Sequence, residues 1–366
     1  MNVSVEGAVR QELHSACPPA AERMSGRAYF EAASRLLAER PTTLEPAIPA
    51  RILERLYGLT GEVSNLSSET ECTDNILLPD GRRLILKTSA RPEALPSFRF
   101  QAAALRHLAG VPGFMVPQVL PSRSGELVFE QDGVFGYLQT RIEGQSLHAL
   151  CSSPDLLRRA GASLSALDAA LAACEMPAAD RPILWHIGCW PGLMALRHHL
   201  PEGSIAAHVK EAMETYVTSI EPRLGELEWQ VTHNDPSPFN MLSADGRLAY
   251  IDFGDGCWNP RIQDLAIAAS HMVADPELPL GGAEYLIAGY ASRHPLSPLE
   301  AELLVGLMRA RQSALIMINY WRAHLFPSDA AYIKKNVGRA ERGLSLLARL
   351  SVADDRAAVA SAIAMT

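Results

Sequence analysis

Residues 231–255 concentrate side chains whose types and spacing could do chemistry together. The stretch reads Val231-Thr232-His233-Asn234-Asp235, then Asn240, then an Asp245-Gly246 turn and Asp252-Phe253-Gly254-Asp255. An H-x-D-x-x-x-x-N run followed by D-F-G supplies a base, an amide and a carboxylate. Each pattern alone is weak, but both in this order and proximity arise by chance about once in ten thousand or less. With the turn at Asp245-Gly246, Asn240 and Asp252 fall opposite one another on paired strands, where Cβ atoms lie roughly 5 Å apart. An amide oxygen and a carboxylate there converge on one or two Mg2+ ions, a cation that takes few protein oxygens and completes its shell with water and phosphate. Asp235, on the approach loop, is placed to accept a proton from a hydroxyl attacking a terminal phosphate. That is the division of labour in kinase phosphoryl transfer. Singly, Asp235 also reads as a turn residue before Pro236, Asn240 as a loop amide and Asp252 as a strand-end carboxylate. Jointly, with the spacing intact, the catalytic reading outweighs these.

The elements that must position this stretch are legible as well. Residues 75–78 and 84–87 flank Pro79-Asp80-Gly81, a hairpin signature in which Asp-Gly supplies positive φ angles. Lys87 ends the apolar strand Leu84-Ile85-Leu86, from which a lysine reaches nucleotide phosphates; a solvent-facing strand-end lysine is the plainer alternative. No G-x-G-x-x-G precedes it, only the polar run 67–75, whose hydroxyls and N–H groups could contact phosphate or form a plain loop. Residues 48–56 read as a short helix closed by Gly58, and 98–109 as an amphipathic helix ended by Gly110. A second Asp-Gly hairpin joins 127–129 to 134–138. After Gly144 the helical period dominates: Ser153-Pro154 caps one helix, and Ser297-Pro298-Leu299-Glu300 is a capping box opening a long one towards Leu325.

Composition bounds the class. The chain has 366 residues, 48% hydrophobic, enough for a sizeable core and more than one core usually serves. Its 33 Lys+Arg against 41 Asp+Glu give a net charge of −8 without a basic block, which disfavours a nucleic-acid partner. The charged N-terminus and the lack of an apolar run of about 18 residues predict neither a signal peptide nor a membrane span, hence a cytoplasmic protein. Six scattered cysteines (17, 72, 151, 174, 189 and 257) form no C-x-x-C pair and read as free thiols. His198-His199 reads as solvated helix surface.

Together these pieces resemble the aminoglycoside phosphotransferase and choline kinase-like family, and within it the hydroxylysine kinase branch. The likeness runs over residues 48–350. It rests on Leu56-Tyr57-Gly58-Leu59, the Lys87 strand, Gln101-Ala102-Ala103-Ala104-Leu105, His233 to Asn240, Asp252-Phe253-Gly254-Asp255, Asp264-Leu265-Ala266, Ala288-Gly289-Tyr290 and Phe326-Pro327. The resemblance implies an α+β, bilobal protein-kinase-like fold, with a small antiparallel β-sheet N-lobe bearing one helix and a larger, mainly helical C-lobe. Residues 1–45 are then a peripheral extension, 46–143 the nucleotide-binding lobe and 144–366 the catalytic and substrate-binding lobe. It implies Asp235, with His233, as catalytic residues; Asn240 and Asp252 as Mg2+ ligands; Lys87 and its partner Gln101 at the phosphates of ATP or GTP; and Gln139, Arg141 and Ile142 along the nucleotide base. Asp264 would brace the catalytic loop. Gln101 stands where most of the family has glutamate, as in the hydroxylysine kinase branch. Ser237 and Trp185-His186 depart from the usual pattern near the acceptor.

For the acceptor side, Asp255 beside Trp258, with Tyr320, Trp321 and His186, suits a protonated amine through charge and cation–π attraction, although core packing is the commoner role of each aromatic. The reading is a kinase acting on the hydroxyl of a hydroxylated amine or amino acid, as a monomer or homodimer. An aminoglycoside or other natural-product O-phosphotransferase is the alternative enzyme, and a catalytically silent nucleotide-binding regulator the alternative of another class.

Overall fold

The computed structural model describes residues 26–40, 44–66 and 71–365. Cys17-Pro18-Pro19 and the first four residues of the polar run 67–75 lie outside the described residues. The chain folds as α+β. A six-stranded antiparallel sheet comes first, built from β1 (Glu62–Leu66), β2 (Cys72–Leu77), β3 (Arg83–Ser89), β4 (Val119–Leu120), β5 (Phe129–Gln131) and β6 (Val134–Thr140). Its order is β1-β2-β3-β6-β4, with β5 on β6. The larger, helical part carries a sheet of β7 (Gln145–Ser146), β9 (Met241–Ala244) and β10 (Arg247–Tyr250), and the pair β8 (Trp229–Thr232) and β11 (Cys257–Pro260).

Period-two alternation gives the first sheet two different faces. Leu84, Leu86 and Leu138 join Ile52, Leu53 and Ile76 in a small core under helix α2 (Ala47–Ile52) and the π turn that follows it. Ile85 and Lys87 point the other way, into a cavity shared with the helical part. Helix α3 (Leu95–Leu108) buries Phe98, Phe100, Leu105 and Leu108 in the main core. At Gly136 a Cβ would fall 2.2 Å from the Lys87 carbonyl oxygen, so only glycine lets β6 approach β3 there.

The helical part is built around α4 (Pro154–Ala172), α5 (Ser204–Thr215), α6 (Ile262–Met272), α7 (Ala283–Ala291), α8 (Pro298–Leu325), α9 (Val337–Leu347) and α10 (Val352–Ile363). Ser153 caps α4 through the Leu156 N–H, and Ser297 with Glu300 forms the capping box of α8. Among the described residues no helix is long and apolar enough to cross a membrane.

The structure corrects three expectations. Within residues 1–45, helix α1 (Arg27–Ala38) is not peripheral: the i, i+4, i+8 stripe Tyr29, Ala33 and Leu37 is buried in the main core. In the first hairpin Gly81 takes the positive φ, whereas Asp80 instead accepts the Arg82 N–H. In the third, Asp245 and Gly246 both have positive φ and join Ala244 directly to Arg247. That two-residue loop sets a register in which Asn240 faces Ile251 (N–H to O, 3.0 Å) rather than Asp252. Asp252 itself is left-handed (φ 62°, ψ 73°), which breaks the strand alternation, so Asn240, Ile251 and Asp252 all line the cavity.

Candidate active site

The cavity encloses about 730 Å3 between the first sheet and the helical part. Lys87, Gln139, Arg141 and Ile142 line it from the sheet side, and Asp235, Asn240, Asp252 and Asp255 from the other.

Lys87 is the electrostatic centre of the sheet side. Its ammonium donates to Gln101 Oε1 (2.9 Å) and Asp252 Oδ1 (2.8 Å) and lies 2.6 Å from Glu71 Oε1. Burial alone would lower its pKa, but Asp252 and Glu71 outweigh that and hold the ammonium well above the usual lysine value. Gln101 does not reach the cavity. Its oxygen accepts from Lys87 and from the Tyr137 hydroxyl (2.9 Å), while its amide donates to Ser97 and to Glu71 Oε2 (3.4 Å). The glutamine therefore positions Lys87, and the carboxylate facing that lysine comes from Glu71, a residue the sequence pattern did not single out.

The loop from β8 is held from behind. Asp264, at the start of α6, accepts the backbone N–H groups of His233 and Asn234, each at 2.7 Å. Asp168 of α4 lies beside it and receives the Tyr290 hydroxyl (2.7 Å). Burial above all, with the Asp264 charge beside it, pushes the Asp168 carboxyl well up. Asn234 is left-handed (φ 60°), a conformation asparagine tolerates. His233 is fully buried and does not reach the cavity, which corrects its assignment as a catalytic group. Its Nε2 meets the Ile251 carbonyl (3.0 Å) and its Nδ1 accepts the Asp235 N–H (3.3 Å); burial lowers it to about 4, so it stays neutral. It ties the Asp235 loop to the Asp252 segment.

Asp235 emerges from this frame. The Asn240 amide nitrogen donates to Asp235 Oδ2 (2.7 Å) and to its backbone oxygen (3.1 Å). That commits the Asn240 nitrogen and leaves its oxygen as a ligand atom. Asp252 has 53% of its side chain accessible, and Lys87 above all keeps it ionised, below the usual carboxylate range. One carboxylate and one amide oxygen fit a hard divalent cation. Among the described residues no cluster of three or more His, Cys, Asp or Glu side chains could hold a metal alone. A cation here would take its other ligands from nucleotide phosphates and water. Gly256 presses the following segment against α3, where a Cβ would meet the Phe100 ring at 2.3 Å.

Four expected acceptor residues lie off the cavity. His186 is buried and spent on backbone, with Nδ1 accepting the Gly188 N–H and Nε2 at the Trp258 carbonyl, both 3.0 Å. Trp258 and Trp321 pack on the main core, and Tyr320 donates to Glu341 (3.1 Å). Asp255 does line the cavity, together with Trp185 and Arg311, neither of them among the expected site residues.

A kinase-like α+β fold with two carboxylates, an amide and a buried lysine on one cavity suits a small-molecule phosphotransferase acting on hydroxyl groups. Comparison with known proteins gives the family: the pattern of the phosphotransferase enzyme family APH matches residues 73–299, and the chain belongs to that family. It is 24% identical over 322 residues to a hydroxylysine kinase of Danio rerio, covering 82% of this chain and 89% of that protein. It is 28% identical over 223 residues to a homoserine kinase of Pseudomonas aeruginosa (strain UCBPP-PA14), covering 60% and 66%. Among solved structures, an amicoumacin kinase in complex with AMP-PNP, Ca2+ and Ami superposes with a TM-score of 0.63 at 13% identity, covering 84% of this chain and 95% of that one.

Proposed function

We propose that the protein transfers the γ-phosphate of ATP or GTP, as its Mg2+ complex, to the hydroxyl of a hydroxylated amine or amino acid. The observation that carries this reading is the convergence of Lys87, Asp235, Asn240 and Asp252 on one cavity. A catalytically silent regulator would have no need of the complete set. The hydroxylysine and homoserine kinases among the relatives support an amino-acid-like acceptor.

In this reading Asn240 and Asp252 hold the metal, which when bound neutralises developing charge on the phosphates. Lys87 releases a carboxylate to contact the nucleotide phosphates. Asp235 accepts the proton of the acceptor hydroxyl as the oxygen attacks phosphorus, and Asn240 and the Asp264-braced loop fix the direction of its carboxylate. Gln139, Arg141 and Ile142 flank the nucleotide base. Asp255 faces the acceptor amine. The test is nucleoside diphosphate release with ATP and with GTP across hydroxy-amino acids, amino alcohols, choline-like alcohols and aminoglycosides. Turnover stimulated by a hydroxylated amine or amino acid is expected; stimulation by aminoglycosides alone would replace this acceptor assignment, and none by any acceptor would refute the reading.

A further inference from the structure

Arg311 sits in the middle of α8, on a stripe with Leu315 and Asn319 that faces the cavity. Its side chain is only 4% accessible. A guanidinium has five N–H donors, yet the hydrogen bond made here is a long one, from Nη2 to Asp235 Oδ1 at 3.3 Å. Among the described residues, Nε and Nη1 have no hydrogen-bond partner. The face of the group rests on the Trp185 ring, 4.6 Å from its centroid. Buried polar groups are ordinarily satisfied, and a buried charge is costly unless paired with good geometry. Packing under an aromatic ring fixes the guanidinium plane without using its donors. His271, Asn336 and Arg339 adjoin Arg311 in a recess off the cavity; burial, with Arg311 and Arg339, lowers His271 to about 3, so the positive charge there is carried by the two arginines.

From this geometry we infer that Arg311 receives the carboxylate of the acceptor, which makes the preferred substrate a hydroxylated α-amino acid rather than the corresponding amino alcohol. The inference rests on the kinase reading above and narrows its substrate class. A carboxylate is the planar, two-oxygen anion that a fixed guanidinium binds through two parallel hydrogen bonds. Asp255, on the same cavity, stands as counter-charge for the ammonium, and Asp235, which Arg311 touches, as the proton acceptor for the hydroxyl. An amino alcohol would leave the guanidinium as poorly partnered as it is now.

The experiment compares two acceptors that differ by the carboxylate alone, homoserine against 3-amino-1-propanol, in wild type, Arg311→Gln and Arg311→Lys. The quantity read is the ratio of kcat/KM values within each protein, which cancels any loss that both substrates share through Asp235. Wild type is expected to prefer the amino acid by about 10^2-fold or more, Arg311→Gln by less than about tenfold, and Arg311→Lys by an intermediate factor. A thermal shift on adding Mg-nucleotide to each variant checks that it is folded; if Arg311→Gln fails that check, the lysine variant decides. Equal use of both acceptors by wild type, or an unchanged ratio in the folded variants, overturns the assignment and leaves Arg311 as a group that only orients Asp235. Absence of transfer to either acceptor, with transfer to another hydroxylated compound, also overturns it, whereas absence of transfer to any acceptor refutes the kinase reading itself.

Discussion

Exchanging charge between Glu71 and Gln101 probes how Lys87 is held. Gln101→Glu puts a third carboxylate, after Glu71 and Asp252, beside Lys87 Nζ at the present 2.9 Å, and beside Glu71 Oε2 at the present 3.4 Å. At the effective dielectric of about 20 that suits such sites, the new attraction is roughly 6 kcal/mol and the new repulsion roughly 5 kcal/mol. These nearly offset. What remains is the desolvation of a fully buried carboxylate, several kcal/mol per ion, and the lost amide donor to Glu71. The single variant should therefore lose about 3 kcal/mol, a loss capped by proton uptake on the new group. Glu71→Gln removes a partner that is only 10% accessible, with Asp252 still present, and should lose about 2 kcal/mol. In Glu71→Gln/Gln101→Glu the carboxylate has moved to α3 and Lys87 regains a second close anion beside Asp252. The double variant should be more stable than the summed singles by at least about 2 kcal/mol, read from urea unfolding at pH 7.5 without nucleotide. Additivity within about 0.5 kcal/mol would show that Glu71 does not pair with Lys87 in solution.

Other expected outcomes follow from the same geometry. Asp252→Asn should nearly abolish transfer and weaken Mg-nucleotide binding, whereas Asn240→Ala should keep activity that raised Mg2+ or Mn2+ restores; indifference of both variants to metal concentration would refute the ligand assignment. His186 and His233 are held at about 4 by burial, against an ordinary 6.5. The unfolded chain therefore binds more protons between those values, so stability present above pH 6.5 is lost as pH falls towards 4, by up to about 1.4 kcal/mol per unit for each histidine. In His186→Gln the pH dependence of urea unfolding between pH 6.5 and 5 should be shallower by about 1 kcal/mol per unit, and an unchanged slope would contradict it. Gly256→Ala should destabilise by about 1–3 kcal/mol, because its Cβ meets Phe100; an unchanged urea midpoint would contradict that close approach.

Much of this architecture could be read from local patterns. Asp-Gly pairs mark the hairpin turns, serines before proline mark the starts of α4 and α8, and the spacing of Asp235, Asn240 and Asp252 brings them to one cavity. What escaped depends on contacts that no short pattern encodes. Glu71 stands in a polar run without periodicity, and only the pairing of β2 with β3, which sets Thr73 opposite Lys87, brings it to that lysine. The hairpin pairs Asn240 with Ile251, one residue from the Asp252 that the spacing suggests, a slip that would swap strand faces but for the left-handed Asp252. The aromatic residues Trp258, Tyr320 and Trp321 suggest an acceptor pocket by type alone, and their contacts place them off the cavity. A signal for Arg311 and Asp168 did exist: each is a charged residue in the apolar stripe of a buried helix, where charge persists only with a partner or a task.

Product chemistry tests the central claim most directly. Wild-type protein with Mg-nucleotide and the best acceptor of the panel, followed by 31P NMR, is predicted to yield a phosphate monoester on the acceptor hydroxyl. Asp235→Asn should bind nucleotide within a few-fold of wild type yet form that ester at least about 10^2-fold more slowly, the usual worth of a general base. Near-wild-type ester formation by Asp235→Asn, or nucleotide hydrolysis without any phosphorylated acceptor, would contradict the account.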